Sequence, residues 1–212
     1  ITIPLDETLT PIENANKYFA KYNKLKRTYE AGTRLIAEIK DEIMYLESII
    51  NAIDIATTEN DLNNIKDELA VTGYIKRSGK SKSKGNTHNK PMHYVSSDGF
   101  DIYVGKNNIQ NDELTFKFAT GGDWWFHAKQ MPGSHVIVKT DGKELPDKTF
   151  EEAAALAAYY SKGRDLEKVE VDYVLKKEVK KPAGAKPGFV VYYTNYSLIA
   201  IADISGIRLI SG

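Results

Sequence analysis

The 212 residues suffice for one sizeable core plus an appendage. They include no cysteine, which excludes a disulfide framework and a thiolate metal site. Formal charge sums to zero, but residues 1–75 carry 8 Lys/Arg against 13 Asp/Glu and residues 76–212 carry 21 against 16. An acidic front and a basic back often go with an anionic partner for the basic part, and equally with two ordinary solvated surfaces. No apolar run approaches the roughly 18 residues of a membrane span and no signal peptide is visible, so the expected location is cytoplasmic without membrane insertion. The chain opens ITIPLDE without a Met, which predicts a fragment of a longer protein.

Residues 1–10 alternate weakly and resemble the end of a strand. Thr10-Pro11-Ile12-Glu13 is a helix entry, with Thr as N-cap, Pro at the first helical position and Glu13 at the reciprocal capping position. Tyr18, Tyr22, Leu25, Tyr29, Gly32, Ile36, Ile39, Ile43, Leu46, Ile50 and Ile53 then step by four and three. This spacing predicts a coiled-coil seam on a helix over 11–54, on the order of 60 Å long at about 1.5 Å per residue. A second helix after Thr58, striped by Leu62, Ile65 and Leu69, is too short to cover it. The missing partner helix is expected upstream, and self-association of the fragment through the bare seam is the expected consequence. Lys17, Lys21 and Lys24 stack on one helix face, either as a phosphate-backbone contact or as a solvated stripe.

Residues 76–91 hold Lys76, Arg77, Lys80, Lys82, Lys84 and Lys90 with no acid and several Gly and Ser, which predicts a flexible basic linker between a coiled-coil segment (1–75) and a second domain (92–212). In that domain Asp98-Gly99 marks a two-residue hairpin. Residues 113–118 read as helical or extended. Residues 121–138, GGDWWFHAKQMPGSHVIV, form a central hairpin, and Thr149 to Glu152 form a capping box opening an alanine-rich helix stopped by Gly163. Strands are predicted at 169–174, 189–193 and 198–204. The class is α+β: a long coiled-coil helix followed by a mixed sheet with one main packing helix.

His127 and His135 invite a metal reading with Asp123 or His93, but strand neighbours on alternate faces do not converge automatically. Ser134 beside His135 lacks a GxSxG context, and Gly105-Lys106 belongs to no phosphate loop. Neither an enzyme nor a cofactor or metal is therefore expected. Basic residues interleaved with aromatics and amides remain. Lys129, Arg164 and the lysines at 176, 177, 180, 181 and 186 are expected to neutralise phosphates, Trp124, Trp125 and Tyr173 to stack on bases, and Asn107, Asn108 and Asn111 to read base edges or 2′-hydroxyls. Core packing competes for at least one tryptophan. The expectation is one lysine-rich face built to meet polyanions.

The strings NAxxYFxKYNKLK (14–26), YLES (45–48) and ELxxxGYI (68–75) resemble the middle coiled coil of the NFACT family. DGFDIYVGKNNIQNDELT (98–115), WFHAKxxPGSHVI (125–137), AAxLAAYYSK (153–162) and VDYVxxKxVKKPxGAKPGxV (171–190) resemble its C-terminal NFACT-R domain. The resemblance implies a ribosome quality-control factor that binds large subunits carrying an obstructed peptidyl-tRNA and recruits tRNA for C-terminal tailing. It implies an RNA-binding surface on Lys17, Lys21, Lys24, His127, Lys129, Ser134, His135, Lys180, Lys181 and Lys186, with Asp123, Gly133 and Asp172 beside them and base stacking by Trp125 and Tyr173. Members in Gram-positive bacteria are also described as fibronectin/fibrinogen-binding adhesins, virulence factors displayed at the surface without a signal peptide. Trp124 stands where the family places an aliphatic residue.

Overall fold

The computed structural model describes residues 1–76 and 90–211, so the flexible-linker expectation falls almost wholly outside the described residues. The chain divides into two compact units, Ile1–Ile43 and Met44–Gly212.

In the first unit, α1 (Pro11–Ile55) begins at the expected capping box. The Thr10 N–H donates to Glu13 Oε2 at 2.8 Å and the Glu13 N–H to Thr10 Oγ1 at 3.3 Å. Residues 1–10 form no strand. They are held instead by Asn14, which accepts from the Asp6 N–H at 2.8 Å and donates to the Asp6 carbonyl at 3.0 Å. Tyr22, Leu25, Tyr29, Ile36 and Ile39 of the seam are all exposed.

The second unit contains the end of α1, then α2 (Glu59–Val71), capped reciprocally by Thr58 and Asp61. Ile65 and Leu69 of α2 pack on Tyr45, Ile49 and Ala52. This corrects the seam expectation: α2 takes the neighbouring row of α1, and Leu46, Ile50 and Ile53 stay exposed.

Seven strands follow: β1 (Met92–Val95), β2 (Asp101–Val104), β3 (Trp124–Ala128), β4 (Val136–Val138), β5 (Val169–Leu175), β6 (Tyr196–Ala200) and β7 (Arg208–Ser211). Their order is β6-β5-β3-β4-β2-β1-β7. Every pairing is antiparallel, so the sheet is not mixed, although the α+β class and the packing helix hold. Strand alternation sends Ile102, Val104, Phe126, Val136, Val138 and Val171 to one face, beneath the alanines of α4 (Asp147–Tyr159). Small side chains let that helix lie close. The opposite face carries Trp125, Ile137 and Val174. It is covered by α3 (Asn108–Glu113), by a π-helical turn at Leu114–Phe118 and by residues 179–192. The ambiguous stretch 113–118 is thus helical.

Three local expectations fail for identifiable reasons. The first hairpin closes on a three-residue loop, with Ser96 N–H on the Phe100 carbonyl at 2.9 Å and Gly99 at φ +83°. Helix α4 begins before Thr149, because Thr149 and Glu152 are used elsewhere. Thr149 Oγ1 donates to Asp98 at 2.8 Å, and Glu152 accepts from the Ser97 N–H at 2.8 Å, so both brace the β1–β2 loop. Residues 189–193 contribute only a bridge between Val191 and Lys180, not a strand.

Buried polar contacts join α1, α2 and α3 within the second unit. Glu68, 1 % exposed, accepts at Oε1 from Tyr45 Oη at 2.9 Å and Asn108 Nδ2 at 3.0 Å, while Oε2 has no partner among the described residues. Burial pushes this carboxyl above 4.5, against the two hydrogen bonds that favour the charged form. The folded chain therefore holds the proton more tightly than the unfolded one. The resulting stabilisation is full below pH 4.5 and is lost as pH rises through the raised value. Glu68→Gln keeps an acceptor for Tyr45 and Asn108 and carries no charge. It is expected to be more stable than the parent at neutral pH and to lack this dependence in urea denaturation across pH. Equal stability at neutral pH would show that the carboxylate is compensated.

Candidate nucleic-acid interface

On the face opposite α4, β3 carries Trp125 and His127, Lys129 follows just beyond its end, and His127 lies directly across from Asp172 of β5. Asp172 accepts from Tyr192 Oη at 2.7 Å and from Ser197 Oγ at 2.5 Å. It thereby clamps the covering segment and β6 to the sheet. Burial and donation to Asp172 push the Tyr192 hydroxyl up, so it stays a donor. The His127 and His135 rings meet edge-on with centroids 5.5 Å apart, so the two histidines do share a face. Among the described residues there is no group of three or more His, Asp or Glu placed to hold a metal.

The histidines do not present charge to phosphates. His135 is 1 % exposed, with Nδ1 2.7 Å from Thr115 Oγ1 and its backbone N–H on Asn111 Oδ1 at 3.0 Å. Burial, then the neighbouring His127, holds its pKa well below 6.5. Burial lowers His127 to about 4, against a hydrogen bond to the Gly133 backbone and the nearby Asp172 charge. Both rings are neutral at physiological pH. Because the folded values lie below the unfolded 6.5, their stabilisation is full above pH 6.5 and is lost as pH falls toward 4. Thermal melts are expected to show this loss, and His127→Gln to flatten part of it. A melt equally stable at both ends of that range would contradict the burial assigned here.

Other expected contacts turn out to be structural. Trp125 is fully buried among His127, His135 and Tyr192, with ring centroids 5.1–5.6 Å away, which leaves no face for a base. Ser134 is buried and donates to the Gly105 carbonyl at 2.6 Å. Gly133 bridges Ser161, and a Cβ there would sit 3.0 Å from the Ser161 Cβ. Asn107 caps α3, Asn108 serves Glu68 and Ser48, and Asn111 holds His135; all three are buried. Arg164 donates to Asn51 Oδ1 at 3.3 Å. Burial opposes ionisation of Asp123, but Lys139, Thr120 and Thr140 outweigh it and hold its carboxyl below 3.8.

The lysines do not form one free basic face. Lys129 pairs with Glu170 at 2.5 Å, and Lys181 with Asp112 at 2.8 Å while donating to the Lys186 carbonyl at 2.6 Å. Lys186 donates to Tyr74 Oη at 2.8 Å and lies 4.4 Å from the Tyr45 ring centroid, tying its loop to the helices. Lys180 is exposed. In the first unit Lys17 pairs with Asp6 at 3.2 Å, whereas Lys21 and Lys24 are exposed. The signals that neutralise Lys129 and Lys181 lie 41 and 69 residues away in the chain, beyond the reach of local pattern.

Tyr173 is half-buried, stacked between Phe126 and Tyr196 with centroids 5.5 Å away on each side. The exposed ring of that stack is Tyr196, which sequence reasoning missed; its position on an edge strand beside Tyr173 is the only cue. Trp124 packs on Phe150 and Tyr173 on the α4 side. A second aromatic group was also missed. His93 and Tyr103, directly opposed on β1 and β2, stack at 4.6 Å, and Phe118 of the π-helical turn meets Tyr103 edge-on at 4.7 Å.

This arrangement is an antiparallel sheet with a helix on one face and a buried His–Trp–Tyr cluster on the other. Residues 1–88 match the family model for NFACT N-terminal and middle domains, and residues 90–194 match the NFACT protein RNA binding domain. The chain belongs to the NFACT family. It is 47 % identical over 193 residues to the Rqc2 homolog RqcH of Streptococcus suis, covering 91 % of this chain and 34 % of that protein. It is 40 % identical over 205 residues to the Rqc2 homolog RqcH of Bacillus subtilis, covering 96 % and 35 %. The chain thus spans about a third of the length of these relatives. A solved structure described as the C-terminal of the fibronectin/fibrinogen-binding protein from Streptococcus suis superposes with a TM-score of 0.82 at 44 % identity, covering 94 % of this chain and 79 % of that one. No helix among the described residues is long and apolar enough to cross a membrane.

Proposed function

We propose that this chain is the RNA- and ribosome-binding region of a cytoplasmic ribosome quality-control factor. In this reading it engages large subunits holding an obstructed peptidyl-tRNA and helps recruit tRNA, so that the stalled chain receives a C-terminal tail. The observation that carries the reading is the RNA-binding family match over residues 90–194, β1 to β5 of the sheet, in a chain whose relatives are Rqc2 homologues. The region acts by binding and needs no catalysis of its own. Contact with phosphates falls to the exposed Lys21, Lys24 and Lys180 rather than to the paired lysines.

The test is tRNA binding by fluorescence anisotropy over a salt series. Affinity is expected to fall linearly on log–log axes, and Lys21→Ala/Lys24→Ala/Lys180→Ala to reduce the slope by about one unit per lost contact. An unchanged slope would remove those lysines from the interface. An adhesin reading has one favouring feature besides the neighbour's name. β6 and β7 are open sheet edges with Tyr196, Ile199 and Leu209 exposed, a setting for strand addition by an extended segment. Surface-plasmon binding of fibronectin, with a charge-matched unrelated protein as control, separates the two.

A further inference from the structure

The His93–Tyr103–Phe118 group lines an open cleft of about 640 Å³ between the β1–β2 surface and the α3–π-turn segment. Lys90 and Lys117 stand at it, as does Glu113. Three features distinguish it from incidental surface. The rings are fixed before any ligand arrives: His93 Nε2 is bonded to Asp101 at 2.7 Å and its ring lies 7° from parallel with Tyr103. Phe118, 44 % exposed, is delivered by a π-helical turn, a rare geometry that recurs at functional sites. Two cations flank the rings, Lys90 exposed and Lys117 75 % exposed in a 3.1 Å surface pair with Glu113. A volume in the small-ligand range admits one splayed-out nucleotide and no duplex.

We infer that this cleft is a binding site for an unpaired RNA nucleotide, its base stacked in the aromatic group of His93, Tyr103 and Phe118 and its flanking phosphates met by Lys90 and Lys117. The inference rests on the RNA-binding reading above and locates a base-recognition site within it. Mixed charge at the rim, with Glu113 beside the lysines and Asp101 on His93, makes stacking the main source of affinity there. The Lys117–Glu113 pair opens at little cost because an exposed ion pair contributes little.

The test uses the whole 212-residue chain and short oligouridines carrying 2-aminopurine at successive positions. At low salt, binding is followed by anisotropy and stacking by 2-aminopurine emission. Binding is expected to quench the probe at one or a few positions. His93→Leu/Phe118→Leu, which retains apolar bulk, is expected to weaken binding about tenfold and to abolish the quench, with the thermal melt preserved. If the wild-type chain binds with no quench at any position, the cleft assignment is overturned whether or not the variant folds. A folded variant that binds and quenches as wild type overturns it too, and in both cases RNA binding itself survives. A wild-type chain that binds no RNA overturns both readings. The matching DNA oligomer binding as tightly or more tightly overturns the assignment to RNA.

Discussion

Trp125→Ala is expected to destabilise the second unit by about 3–5 kcal/mol, the range for deleting a large buried aromatic side chain. Trp125 is fully buried and joins Leu114, Ile137, Val174 and Val179 in the apolar cluster that holds the covering segments on the sheet. The loss combines transfer of apolar surface with a cavity walled by His127, His135 and Tyr192, which the rigid sheet cannot collapse. Trp125→Phe provides the control. The indole Nε1 is buried without a partner among the described residues, so replacing the ring sacrifices no hydrogen bond there and even removes an unmet donor. The Phe variant is therefore expected to retain most of the stability lost in the Ala variant. Urea denaturation measures both. Equal losses would mean that the indole donor has a partner and that more than ring volume matters here.

The second large effect is expected at Lys106. Its ammonium is 5 % exposed and lies 3.4 Å from Asp61 Oδ1, itself 1 % exposed, joining the start of α2 to the end of β2. Lys106→Met is expected to cost about 3–5 kcal/mol, because it takes an ammonium away from a buried carboxylate. Asp61→Asn in the same chain should recover much of this, since the second carboxylate oxygen is already engaged in the Thr58 capping box and an amide keeps an acceptor there. The double-mutant cycle isolates the pair from the cap. A double variant as unstable as the single would show that the lysine stem, rather than the charge pair, makes the contact.

Local signals were legible where the residues that set an element lie close in sequence. The Thr10–Glu13 and Thr58 starts and the central 124–138 hairpin all belong to that kind. What was lost depended on distant partners. Thr149 and Glu152 carry a capping-box spacing but are used by a loop about fifty residues upstream. Strand β7 pairs with β1 across more than one hundred residues, which no local pattern marks. The α2 contact shifted by one residue row because Tyr45 and Ile49, like Leu46 and Ile50, keep a four-residue step.

The site was legible in type more than in position. Residues singled out by their chemistry in 121–138 proved to be the packing that makes the sheet rigid, as with Trp125, Ser134 and His135. Lysine density likewise overstated free charge at Lys129 and Lys181, since Glu170 and Asp112 approach them only after folding. The exposed aromatics escaped notice for the converse reason. His93, Tyr103 and Phe118 are unremarkable in sequence and are brought together by strand register and a π-helical turn.

Co-sedimentation of the 212-residue chain with purified large ribosomal subunits bears most directly on the proposed function. At physiological salt the chain is predicted to pellet with the subunits and to be released progressively as salt rises, in proportion to the phosphates it neutralises. A chain that stays in the supernatant with subunits in excess, or whose pelleting ignores salt, would contradict that function.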